Sequence, residues 1–421
     1  MEKIIYNLAV IGGGPAGMMA GGRAGELGSR VILIEKNNYL GTKLLITGKG
    51  RCNITNAEED LKKLINVYGP NGKFLYSALN KFSNKDVINF FESRGLKTKV
   101  ERGDRVFPVS DNSKDVLEVL KKYLKQNNVA IKTDAEVKNI VVKNNSITKI
   151  ELKNGEEIIA DNYLIATGGK SYPGTGSTGD GYKWLKELGH TITELKPALT
   201  PIIVKENMVK ELEGLSLKNV EVSLWKEKKL ASYFGEALFT GNGLSGPVVL
   251  NLSKKINEYF ESSSARATTD KLKIKIDFKP ALDFSTLDKR IQKDFAKQKN
   301  KQFKNSLDKL LPQKLIPVII KLSKIEDNKK VNEITKEERK KIVKLLKEFE
   351  LNVKGLVGFE KAIITSGGVD LKEVNPQTCQ SKIIDNLYLA GEILDIDGPT
   401  GGYNLQVAWS TGCLVGQQFK K

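Results

Sequence analysis

The run Gly12-Gly13-Gly14-Pro15-Ala16-Gly17 has the spacing Gly-x-Gly-x-x-Gly, and each of its key glycines answers a separate demand of dinucleotide binding. Gly12 permits a tight turn, Gly14 lets the main chain approach a pyrophosphate, and Gly17 lets a helix close on the strand beneath it. Pro15 falls in the first turn of that helix, where a missing N–H costs nothing. With Ala16 it would present the positive helix end to the phosphates. Eighteen residues past Gly17 stands Glu35, followed by Lys36. An acid at that distance accepts hydrogen bonds from a ribose and disfavours a 2′-phosphate.

A second group of residues could hold a ring. Gly41, Gly48 and Gly50 free backbone N–H groups to approach one. Between them stand Thr42, Lys43 and Lys49, and just after them Arg51, with cations for a phosphate or a reduced ring, and then Asn53, whose amide can match donors and acceptors on a ring edge. Near the C-terminus, Leu389-Ala390-Gly391-Glu392 follows an apolar run, Asp397 comes five residues later, and Gly401-Gly402-Tyr403-Asn404-Leu405 opens an apolar helix. A nicotinamide nucleotide domain has no need of its own C-terminus at the site. A two-dinucleotide-fold flavoprotein does, because its last helix points a positive end at the flavin pyrimidine ring and stabilises the reduced anion. FAD is the cofactor this combination selects.

Three side chains compete as proton donor: Cys52 inside the ring loop, Tyr172 beside the Ala166-Thr167-Gly168-Gly169 turn, and Tyr403 at the start of the last helix. The other cysteines, Cys379 and Cys413, form no Cys-x-x-Cys, and His190 is the single histidine. A zinc site, a redox disulfide and serine–histidine hydrolysis are therefore disfavoured, and no metal is expected.

The elements that must position these residues follow from periodicity. Strand 4–11, a helix from Pro15 to about Gly28 and strand 30–35 make a parallel βαβ unit. Helical patterns follow near 72–93 and 113–127, and β-rich stretches at 129–133, 135–143 and 147–165. Residues 196–280 alternate in a β manner, 283–350 read as helical, 361–365 and 386–391 as strands, and 404–419 as a closing helix. Both chain ends thus belong to one Rossmann-like α/β domain, 1–194 with 356–421. An inserted β-rich, barrel-like domain is expected over 195–282 and a basic helical subdomain over 283–355. No apolar run approaches the length of a membrane span, and the chain's start does not resemble a secretory signal, so a cytoplasmic location is expected.

Charge is the remaining clue. The 421 residues carry a formal +18, and residues 285–347 alone hold 19 Lys or Arg against 8 Asp or Glu. Lysine-rich surfaces bind nucleic acid by releasing its counterions, although a genomic bias toward lysine gives the same composition.

The chain resembles the BaiN/RdsA group of FAD-dependent oxidoreductases over essentially its whole length. The stretches that carry the resemblance are Gly41–Asn56, Ala166–Gly176 and Ala390–Gln406. The family's Phe-Gly-Leu-Ser-Gly-Pro segment reads Asn242-Gly243-Leu244-Ser245-Gly246-Pro247 here, which removes the aromatic at 242 and any role tied to it. The resemblance implies a GR2-type FAD domain, a backbone contact from Val137 to adenine, and NAD(P)H as a transient reductant. It implies reduction of a conjugated C=C bond, in a bile-acid-like steroid or in a uridine of large-subunit ribosomal RNA; an amine-oxidase activity attaches to some relatives. The basic segment 285–347 favours RNA, because a phosphate-gripping surface serves no purpose on a small steroid.

Overall fold

The computed structural model describes residues 5–262 and 272–420. They form two compact units: one built from the chain up to Pro197 and again from Phe359, the other from Ala198–Gly358.

In the first unit, β1 (Ile5–Ile11) and β2 (Val31–Ile34) pair in parallel with Leu8 opposite Val31 and Ile11 opposite Ile34. Both faces of such a strand are covered, and Val-Ile-Leu-Ile of β2 is accordingly buried throughout. The sheet continues outward from β2 through β3 (Ala130–Lys132). An antiparallel hairpin, β4 (Val137–Lys143) with β5 (Ser146–Leu152), leads into β6 (Glu157–Ile165), which lies parallel to β1 on the side away from β2. Last, β7 (Leu387–Leu389) adds itself parallel to the end of β6. The order β3-β2-β1-β6-β7 brings the carboxyl ends of β1, β2, β6 and β7 to one edge, where the glycine turn, Glu35, Thr167 and Gly391 follow them. Ligands bind in that kind of crevice.

The 147–165 stretch is two strands, because Gly155 at φ +86° turns the chain between them.

Three helices cover the sheet: α1 (Pro15–Glu26), α2 (Ser113–Gln126) and α3 (Tyr403–Gly416). Contact between α1 and α3 is unusually close. A Cβ at Gly412 would lie 2.4 Å from the Ala16 carbonyl oxygen, and one at Gly416 would lie 2.6 Å from that of Ala20. These two contacts fix α1 and α3 as parallel, with residue 16 beside 412 and residue 20 beside 416. Helix α3 therefore starts eight residues ahead of the position opposite α1's first residue, about 12 Å along the axis at ~1.5 Å per residue.

The second unit is a closed six-stranded barrel. Its strands run Ile202–Val204, Gly243–Ser245, Lys229–Thr240, Ser216–Trp225, Lys273–Asp277 and Phe349–Leu356, the last pairing back with the first. Helices Phe284–Ala296, Ile316–Ser323 and Lys336–Lys347 share one apolar core with it, bringing Leu287, Ile291, Ile319, Ile342 and Leu346 against Val222, Ile274 and Leu351. Within the stretch expected to be all β, Pro247–Ser262 is helical. Its buried Val248, Val249, Leu252 and Ile256 follow the helical period, which the flanking β pattern obscures. Among the described residues no helix is long and apolar enough to cross a membrane.

Candidate flavin site

At the phosphate end each glycine meets the demand made of it. Gly12 turns at φ +109°, and a Cβ at Gly17 would lie 2.0 Å from the Gly12 carbonyl oxygen. No atom of the described residues beyond its chain neighbours lies within 4 Å of a Cβ built on Gly14, so main chain is open to a ligand there. Gly14 also caps α1 without any side-chain hydrogen bond, which leaves the helix's first N–H groups facing outward. The buried Glu35 carboxylate accepts from the Gly13 and Asn37 N–H groups, each at 2.8 Å. Glu35 lines a cleft with Ile11, Gly12, Val137, Thr167 and Trp184. Lys36 stands on the same cleft but is committed to Asp180 at 2.7 Å and Thr178 at 2.6 Å.

At the ring end, the loop 41–56 contains a short helix, Thr42–Ile46, and then four left-handed residues: Gly48, Lys49, Gly50 and Cys52. Left-handed Lys and Cys are strained, and such a backbone persists only where its surroundings over-determine it. Helix α3 holds the residues that close this loop. Trp409 Nε1 donates to the Ile54 carbonyl at 2.9 Å, Thr55 bonds Gln406, and a Cβ at Gly402 would meet Thr55 main chain at 2.4 Å. Gly402 caps α3 at φ +96°, again with no side-chain hydrogen bond.

These residues fit FAD. Two uncapped helix ends, offset by about 12 Å, can face a pyrophosphate and the far ring of a flavin joined by a ribityl chain. Two buried acceptors, Asn53 Oδ1 and Thr167 Oγ1, have no partner among the described residues. A buried polar atom without a partner is costly, and a ligand with amide and hydroxyl groups would satisfy both.

The other expected residues have these contacts within the protein. Arg51 pairs with Glu101 and, at 2.6 Å, with Asp111, and its guanidinium stacks 4.0 Å from the Phe107 ring centre. The Arg51 hydrogen bond holds Glu101 below the usual carboxylate range, while Lys99 and Arg51 do the same for Asp111. Lys43 reaches the C-terminal acid, with Nζ 2.8 Å from Glu392 Oε2. Asn404 ties the preceding loop by accepting from Gly398 N–H at 2.8 Å and donating to its carbonyl at 2.9 Å. Asp397 is buried and accepts from Ser366 at 2.9 Å. Leu405 packs on the core, and Gly168 and Gly391 take left-handed turns.

The three proton-donor candidates separate. Cys52 is wholly enclosed by protein and its thiol is pushed up to about 12 by burial; it lines no space open to a substrate. Tyr403 is half-buried, and burial, then Glu58 and Asp104, raise its phenol above the ordinary value, so it keeps its proton at neutral pH. Tyr172 is half-buried in a left-handed turn, with its N–H donated to the Phe359 carbonyl at 2.9 Å.

Sequence reasoning missed Thr365. Its N–H donates to Glu392 Oε1 at 2.9 Å and its hydroxyl accepts from Lys170 N–H at 2.8 Å. A strand followed by Gly367-Gly368 is the signal that marks it. Asp395 was missed too: burial, with Asp397 and Asp370 nearby, raises its carboxyl.

The HI0933-like protein Rossmann domain family matches residues 6–418. A 3-dehydro-bile acid delta(4,6)-reductase from Clostridium scindens is 32% identical over 412 residues, spanning 97% of this chain and 98% of that protein. A ribosomal RNA dihydrouridine synthase from Escherichia coli is 28% identical over 420 residues, 100% of this chain and 98% of that one. A 3-ketosteroid-delta4-(5alpha)-dehydrogenase from Rhodococcus jostii superposes over 100% of this chain and 98% of its own, with a TM-score of 0.55 at 13% identity, a likeness of fold alone. The glycine turn, the paired helix ends and the family match over 6–418 lead to one conclusion: the chain belongs to the HI0933-like family of FAD-dependent oxidoreductases.

Proposed function

We propose that the protein reduces uridine to dihydrouridine in large-subunit ribosomal RNA, with NAD(P)H as the transient reductant. The observation that carries this reading is the solvent face of residues 285–347. Sixteen of its Lys and Arg side chains are exposed against five Asp and Glu, because the remaining acids are half-buried or buried. Asp288, for example, is spent on Arg339 at 2.7 Å. The exposed lysines fall into ridges four residues apart: Lys289, Lys293 and Lys297 along one helix and its end, Lys336, Lys340 and Lys344 along another. Successive members of a ridge stand about 6 Å apart along the axis, a spacing suited to successive phosphates of a single strand. Two relatives named ribosomal RNA dihydrouridine synthase support the same substrate. Reduction of a small conjugated enone is the second reading, favoured by the 32% identical bile-acid reductase.

When bound, FAD supplies the hydride transfer; the chain's own residues supply the rest. Glu35 and the two helix ends hold and orient the cofactor, and the target base has to leave its stack to reach it. We assign the proton donated to the base carbon to Tyr403. Phenylalanine at 403 is expected to lower product formation about 10²-fold while flavin reduction by NAD(P)H, followed by absorbance, stays as in the wild type. Cys52→Ala is expected to leave product formation unchanged. A loss in Cys52→Ala with Tyr403→Phe unaffected would return the role to the thiol. The substrate itself is tested by incubating purified protein and NAD(P)H with protein-free large-subunit ribosomal RNA and measuring dihydrouridine.

A further inference from the structure

The three cations in the loop 41–56 differ in their settings. Arg51 is matched by Glu101 and Asp111, and Lys49 is exposed. Lys43 alone of the three reaches the C-terminal acid, and it does so in a poorly solvated setting: the Lys43 and Glu392 side chains are 20% and 13% exposed. The other Glu392 oxygen takes the Thr365 N–H. Gly391 abuts the first turn of α1, where a Cβ on it would lie 2.9 Å from the Ala16 Cβ. Glu392 is thus a carboxylate beside the helix end that would face a diphosphate, two groups of like charge brought close together.

We propose that Lys43 is a positioning residue whose ammonium neutralises Glu392, allowing that carboxylate to stand beside an anionic dinucleotide and offer its free lone pairs to hydroxyl groups of the linker. The proposal rests on the FAD reading above. It accounts for why an acid is tolerated next to a diphosphate: the pair presents no net charge, while Glu392 keeps its accepting geometry. Without Lys43, a mostly buried carboxylate would lack a counter-charge, the situation in which removing one partner costs far more than removing both.

The test is a double-mutant cycle on the full chain, reading FAD dissociation constants by fluorescence and the melting temperature of the FAD-free protein. Lys43→Met is expected to weaken FAD binding on the order of 30-fold or more and to lower the melting temperature of the FAD-free protein. Lys43→Met with Glu392→Gln is expected to recover most of both losses, and Lys43→Arg to retain both. A double variant that binds FAD no better than Lys43→Met, or a Lys43→Met protein that binds like wild type, overturns the proposal. Wild-type protein that takes up no FAD would instead overturn the cofactor reading, so the two failures are distinguishable. Should Lys43→Met not fold, Lys43→Arg and the double variant still decide the matter, since the proposal requires both to bind FAD well.

Discussion

Replacing Glu35 by alanine is expected to weaken FAD binding by about 2–4 kcal/mol, roughly 30- to 1000-fold. The size of the effect follows from what the carboxylate already does. It is buried and takes the N–H of Gly13, the middle of the phosphate turn, and that of Asn37, which continues from β2. Alanine would remove the ribose acceptor and leave both N–H groups without their partner, so the turn itself would lose its anchor. Glutamine keeps one accepting oxygen and is expected to lose less. Equilibrium titration with FAD measures both variants. A Glu35→Ala protein that holds FAD through dialysis as tightly as wild type would mean that the ribose lies elsewhere.

Reversing Lys340, Lys341 and Lys344 to glutamate is expected to reduce RNA affinity by at least about 50-fold at ~0.15 M salt, and to reduce the slope of log K against log salt by about 2. Three phosphates, each releasing about 0.7 counterions on a single strand, give both figures. All three lysines are exposed, while Ile342, Val343 and Leu346 on the same helix are buried, so the change alters the solvated face and spares the core. FAD content should be untouched, because the flavin residues belong to the other compact unit. Filter binding or fluorescence anisotropy across a salt series reads both quantities. Wild-type protein with no salt-dependent RNA binding would leave the lysines as a compositional bias.

Local chemistry was legible in the sequence and long-range partnership was not. The 12–17 turn could be read because strand, turn, helix and acid follow one another within about thirty residues, each dictated by its neighbours. Gly402 and its helix were legible for the same reason. Arg51 was read as a cation for the cofactor, and its bonds to Glu101 and Asp111, 50 and 60 residues away, went unforeseen. Nothing in the local sequence announces that pairing. Cys52 lies in a polar loop, yet its side chain is wholly enclosed once the chain is folded. The helix Pro247–Ser262 was hidden by its β surroundings, although its own apolar spacing and leading proline were helical.

The most direct measurement of the central claim uses purified, FAD-loaded protein with NAD(P)H and protein-free large-subunit ribosomal RNA, digested to nucleosides and analysed by mass spectrometry. The account predicts that dihydrouridine forms at a defined position as NAD(P)H is consumed in equal amount. Absence of dihydrouridine, with the same preparation rapidly oxidising NAD(P)H in the presence of a small conjugated enone, would contradict it and put the enone reductase reading in its place.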